Sequence, residues 1–220
     1  MKPIIDFHTH RKAQEPGTID IVHLNPDEIP VDNRFFSCGI HPWQAPKADE
    51  SVWKSLEDNL KHPQCIAVGE TGLDKMKPFQ AFYTRQKDIF EKHIRLAHQW
   101  QKPVIIHCVR CYDELLPYLK RINVPVIIHG YSKSFDLART LVRYPRVYLS
   151  FGHLILNENT RAFDAFIRLP LDKTVLETDD RSVSIKEIYE KAASAKNIPI
   201  EDVIRQMHRN FTTIFKKSLF

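Results

Sequence analysis

The chain has 220 residues, of which 43% are hydrophobic and 27% charged. That length and apolar content suit one domain, residues 1–220, with a sizeable core; a net charge of +5, spread along the chain, tolerates an anionic substrate but does not by itself argue for nucleic acid. No apolar run reaches the ~18 residues of a membrane span. The apolar start is a few residues long and runs into charged ones, so the expectation is a cytoplasmic protein with no signal peptide and no membrane partner.

In chain order, Ile4-Ile5-Asp6-Phe7-His8-Thr9-His10 reads as a first strand, and Ile19 to Leu24 as a second. The link between them carries the turn signal Pro16-Gly17. It is shorter than the dozen residues a parallel crossover normally needs. Either the second strand runs antiparallel to the first or the barrel is distorted there. Asn25 to Asn33, with Pro26 and Pro30, has no room for an outer helix. Phe35 to Ile40 is a third strand, followed by His41-Pro42-Trp43, and Asp49 to His62 is an amphipathic helix. Strands ending at Glu70, His107 and His129 follow, separated by helices over Phe79 to Gln101 and Tyr112 to Arg121. A helix over Ser132 to Tyr144, capped by Ser132 or Ser134, leads to a strand over Arg146 to Phe151. A helix over Asn157 to Arg168, the strand ending at Asp179, and helices over Ser184 to Lys196 and Ile200 to Phe215 complete the chain. This alternation predicts an α/β fold, a (β/α)8 TIM-barrel, distorted and with its first two outer helices missing. A flank without helices would expose apolar strand surface, and a homo-oligomer contact is expected there.

The expected strands share a pattern. Each of five apolar runs ends in groups that can ligate a metal: His8 and His10, then Glu70, His107, His129 and Asp179. Alternation along a strand points His8 and His10 to the same face. In parallel α/β folds chemistry sits at the carboxyl ends of the strands, so these six converge. Ionisable groups gathered in an interior are costly unless metal or mutual pairing compensates them. The cysteines, Cys38, Cys65, Cys108 and Cys111, read as reduced, packed thiols. Cys108-Val109-Arg110-Cys111 is formally a C-x-x-C, but a zinc site usually needs a second pair.

The residues resemble the TatD family of metal-dependent deoxyribonucleases, within the wider amidohydrolase-like barrels. The matching motifs are His8-Thr9-His10, Gly39-Ile40-His41-Pro42, Gly69-Glu70-Thr71-Gly72-Leu73-Asp74, His107-Cys108, His129-Gly130-Tyr131 and Glu177-Thr178-Asp179, with Asn210-Phe211 and Phe215 near the end. Three departures stand out: the missing outer helices, Val109 where the family usually has Arg, and Asp180-Arg181 where it has a small residue and Pro.

The resemblance implies two divalent metal ions, and the ligand types support them. Glu70 would bridge, His8, His10 and Asp179 would complete one site, and His107 and His129 the other. Such a pair generates a metal-bound hydroxide for phosphodiester displacement, with Asp179 orienting the water and taking its proton. The mixed donor set suits zinc, manganese or iron, whereas the family is described as magnesium-dependent. His41, Asp74, Arg110, Lys133 and His153 are the candidate substrate contacts; Arg181 is a further cation past a ligand strand. His23 is a weaker candidate, and Glu177 a partner for a ligating histidine. His62, His93, His98 and His208, on helices, read as solvent-facing or capping. Trp43, Tyr131 and Phe151 near the active face read as either stacking or core residues.

The expected activity is therefore phosphodiester hydrolysis, with single-stranded DNA as the implied substrate. Alternatives are amidohydrolase-type hydrolysis of a small amide, lactone or amine, and a catalytically silent metal-binding descendant. A glutamate on the fourth strand, where some amidohydrolase barrels carry a modified lysine, favours the first.

Overall fold

In a computed structural model, the structure describes residues 2–11, 13–29, 34–217 and 219. The strands and α-helices in order are β1 (Ile4–Thr9), β2 (Thr18–Leu24), β3 (Phe35–Cys38), α1 (Glu50–Leu60), β4 (Cys65–Asp74), α2 (Tyr83–Trp100), β5 (Val104–Val109), α3 (Tyr112–Arg121) and β6 (Val126–Ile128). They continue as α4 (Phe135–Leu141), β7 (Val147–Phe151), α5 (Arg161–Arg168), β8 (Thr174–Leu176), α6 (Ile185–Lys196) and α7 (Ile200–Phe215). The eight strands form one sheet in sequence order, and β1 meets β8 through a parallel bridge between Thr9 and Asp179. This is the TIM-barrel order. Among the described residues no helix is long and apolar enough to cross a membrane.

Several expectations are sharpened. β2 pairs parallel to β1, so the distorted-barrel alternative holds and the antiparallel one falls. The physical reason is length: eight extended residues reach about 26 Å, more than the roughly 20 Å of a six-residue strand, so a bare loop can return. No helix occurs between β1 and β2 or between β2 and β3 among the described residues; Pro30 to Asn33 of the turn-rich link lie outside them. The helix expected over Phe79 to Gln101 splits into a 3-10 turn, Lys77–Phe82, and α2. Ser134, not Ser132, stands at the N-cap position of α4, without a side-chain capping bond, and α5 starts at Arg161, where Thr160 accepts the Phe163 N–H. β4 runs four residues past Glu70, because Gly72, Leu73 and Asp74 pair with His107, Cys108 and Val109 of β5.

The chain divides into two compact units, residues 1–22 with 129–220, and residues 23–128. In the first, Phe7 packs against Phe211 and Phe215, and the buried Tyr189 hydroxyl donates to the Ile5 carbonyl at 2.8 Å. Asn210 secures the start of β8 by donating to the carbonyls of Leu171 and Thr174. His208, read from the sequence as solvent-facing or capping, is buried in this unit, its Nε2 at 2.7 Å from the Pro3 carbonyl oxygen. In the second unit, Phe90 packs on Tyr118, and Val104, Ile105 and Ile106 of β5 are fully buried. His93 is likewise fully buried: its Nε2 accepts the Ile40 N–H at 3.0 Å and its Nδ1 faces the Ile89 carbonyl at 2.8 Å. Burial pushes His93 down to about 4, outweighing the hydrogen bond to Ile89. His62 and His98 accept the N–H groups of Gln64 and Asn123.

Candidate metal centre

In the first unit His8, His10 and Asp179 come together. Asp179 Oδ1 lies 3.5 Å from His10 Nε2 and 3.8 Å from His8 Nε2. The three offer ligand atoms all within 4.8 Å of one another. Backbone bonds hold the geometry: His10 donates to the Asp179 carbonyl at 3.1 Å and Asp179 donates to the His8 carbonyl at 3.0 Å. β8 ends at Leu176, so Asp179 is a loop residue with φ 56, aimed back by its pairing with β1. Beneath it the fully buried Asp6 accepts from Thr178 Oγ1 at 2.6 Å and Thr178 N at 3.0 Å. Burial raises the Asp6 carboxyl well above the ordinary range, against the opposing Thr178 hydrogen bonds. Asp6 escapes sequence reasoning, because an acid inside an apolar run reads as ordinary strand alternation.

His129 follows β6, its ring centroid 4.7 Å from that of His8 and its Nδ1 3.7 Å from Glu177 Oε1. Glu177 is buried, accepts from Gly130 N and Ser150 Oγ, and faces His129 at ion-pair rather than hydrogen-bond distance. His153 is half-buried in the turn after β7; burial lowers its basicity, and Arg181 adds to the effect. Lys133 is half-buried in the loop after β6.

The second unit holds the tighter cluster. Glu70 Oε1 lies 2.9 Å from His107 Nδ1 and 3.1 Å from His41 Nε2, and the two ring nitrogens are 3.3 Å apart. Glu70 is 2% exposed, which is expensive for a carboxylate without cationic company. The Gly-Ile-His-Pro motif flagged His41 as a substrate contact; the structure makes it a member of the donor cluster. His107 Nε2 lies 3.1 Å from Asp74 Oδ2, which also accepts the Trp43 indole N–H at 2.7 Å. Burial alone would raise the Asp74 carboxyl, but hydrogen bonds from His107, Trp43 and Met76 N hold it below the ordinary range. His23, at the end of β2, accepts the Glu70 N–H through Nδ1 at 2.9 Å. Arg110 is exposed just past β5, with φ 58. Tyr131 and Phe151 are core, 1% and 0% exposed, whereas Trp43 is 52% exposed.

The backbone is compressed around Glu70. A Cβ on Gly69 would stand 2.4 Å from the Ile105 carbonyl oxygen, and one on Gly72 2.1 Å from that of His107. Only glycine lets β4 lie this close to β5 while taking φ of 137° and 142°.

The donor set fits divalent cations. In a tetrahedral site with bonds near 2.0–2.1 Å, ligand atoms sit about 3.4 Å apart. The Glu70, His41 and His107 atoms, 2.9–3.3 Å apart, are close to that already. One imidazole can donate to both Glu70 and Asp74 only if it carries two protons; a cation held by Glu70 and His107 would take the place of one and leave Asp74 to orient the ring.

Strand order and donor clusters define a (β/α)8 barrel with candidate metal ligands at the carboxyl ends of its strands. The chain belongs to the TatD-related DNase family, whose model matches residues 28–216. An "uncharacterized metal-dependent hydrolase" of Haemophilus influenzae is 29% identical over 204 residues, 84% of this chain and 78% of that protein. The human "3'-5' RNA nuclease TATDN2" is 30% identical over 146 residues, 64% of this chain and 19% of that protein. Among solved structures, the TatD homologue YjjV of Escherichia coli K12 aligns with a TM-score of 0.85 at 22% identity, over 97% of this chain and 98% of that one. A TatD-family hydrolase of Entamoeba histolytica gives 0.75 at 12% identity, over 98% and 99%. These two likenesses show the fold.

Proposed function

We propose that the protein is a metal-dependent hydrolase of phosphodiester bonds, acting on single-stranded nucleic acid. The observation that carries the reading is the Glu70, His41 and His107 cluster, whose donor atoms lie 2.9–3.3 Å apart around a buried carboxylate. The His8, His10 and Asp179 cluster supports a second cation position. The relatives' printed names, a metal-dependent hydrolase and an RNA nuclease, agree with this chemistry. His129, with Glu177 nearby, and Glu70 would serve as further metal ligands, as the family resemblance implies.

When bound, two divalent ions polarise the phosphoryl oxygens and acidify a water molecule. The chain's own residues then have distinct tasks. Asp179, half-exposed and fixed to β1 through its backbone, orients the attacking water and accepts its proton. Asp74 holds the His107 ring through Nε2. Arg110, Lys133 and His153 approach the phosphate as hydrogen-bond donors. The test is hydrolysis of an activated phosphodiester and of short single-stranded DNA and RNA by metal-stripped protein reloaded separately with magnesium, manganese or zinc. Turnover of oligomers that depends on metal supports the proposal. A protein that binds metal and cleaves none of the three substrates overturns it.

A further inference from the structure

Trp43 is the unusual residue at the lip of the second unit's cluster. It leaves 52% of its surface in water, although tryptophan is the largest apolar side chain. It is also held firmly. Phe79 stacks on the indole, with ring centroids 4.8 Å apart and planes 13° from parallel. The indole N–H is anchored on Asp74, and the His41 ring meets Trp43 edge-on at 4.7 Å. Phe82 continues the aromatic cluster behind Phe79, and Met76, 38% exposed, lies in the adjoining turn. A core tryptophan would be covered; a loosely exposed one would lack these restraints. The side chain is instead a rigid, partly open aromatic surface whose ring lies 6.1 Å from that of His107.

We propose that the Trp43–Phe79 pair seats a nucleobase of single-stranded nucleic acid next to the scissile phosphate, so that the substrate is recognised by stacking as well as by its phosphate. This rests on the reading of the neighbouring cluster as a phosphodiester-cleaving site. Every base offers a π-face, so the seat selects nucleic acid over small phosphate esters without reading sequence. An unpaired strand meets its geometry, because its bases are free to leave the stack.

The deciding measurement is the affinity of metal-free protein for an oligothymidylate and for a series in which one abasic spacer is moved along the strand. Wild type is expected to bind the intact strand about tenfold or more better than the worst abasic strand, with tryptophan fluorescence quenched on binding. Trp43→Ala is expected to lose both the discrimination and the quenching. Trp43→Phe keeps a ring but loses the N–H bond to Asp74, so it separates stacking from the positioning of Asp74; it is expected to keep the discrimination. Equal wild-type binding of all strands, no binding of any, or discrimination that survives in Trp43→Ala each overturns the inference. Cleavage of the activated diester, measured in parallel on the metal-loaded protein, reports on the hydrolase reading alone. Cleavage together with undiscriminating binding removes only the stacking seat.

Discussion

The imidazole of His23 accepts the backbone N–H of Glu70 at 2.9 Å, from a strand separated from β4 by forty residues of chain. A ring nitrogen that accepts carries no proton, so with Nδ1 taken by this N–H the ring proton sits on Nε2. The bond therefore fixes both the tautomer and the backbone position of the buried carboxylate. His23→Ala leaves a buried N–H without its acceptor, which costs about 1–3 kcal/mol. Urea titration of the metal-free protein should show the loss as a lower midpoint at unchanged slope, and metal affinity should weaken with it. An unchanged midpoint and affinity would show that the bond does no such work.

Asp179→Asn should preserve the fold while turnover falls about a hundred- to ten-thousandfold, the contribution typical of a positioned acid–base group. The asparagine keeps the backbone bonds to His8 and His10, so circular dichroism and melting temperature should scarcely move. Wild-type turnover in this variant would show that its carboxylate has another role.

Metal removal should lower thermal stability, since clusters that assemble only in the folded chain stabilise it on binding. At a hundredfold excess over the dissociation constant the gain is about 2.7 kcal/mol, or roughly 5–10 °C for a domain of this size. Differential scanning calorimetry before and after reloading checks it, and Glu70→Gln should abolish most of the shift. A melting temperature indifferent to metal would count against the ligand assignment.

Acid should find His93. Its folded-state value of about 4 lies below the ordinary 6.5, so the unfolded chain takes up a proton that the folded chain refuses. This contribution is fully present above about pH 6.5 and is lost as pH falls toward 4, amounting to about 3 kcal/mol over the window. His93→Gln can still accept from Ile40 but does not titrate. Its stability should fall less steeply between pH 6.5 and 4 than that of wild type; parallel slopes would remove His93 as the cause.

The barrel strands were readable because a parallel strand buried on both faces is a continuous apolar run, and the polar residue that ends each run stands out against it. That is why His8, Glu70, His107 and Asp179 stand out in the sequence as candidate ligands. Side-chain partners were less readable. His93 lies four residues from Ile89 and four from Ala97, on the buried face of α2, yet histidine's usual place on helices favoured solvent. Trp43 looked as much like core as like surface, since exposure depends on what packs over a residue. β4 is expected to end at Glu70, where the apolar run stops; it continues to Asp74 because Gly72 admits the close approach of β5.

That approach has a consequence for how variation in this protein will read. Gly69 and Gly72 bear no side chain and donate nothing to chemistry, yet any other residue at either place drives the Ile105 or His107 carbonyl, and the strand behind it, out of line. A saturation library should find these two codons as intolerant as the ligands themselves. A mutational map of the chain would then mark two empty spaces as indispensable, and the indispensable thing is the emptiness.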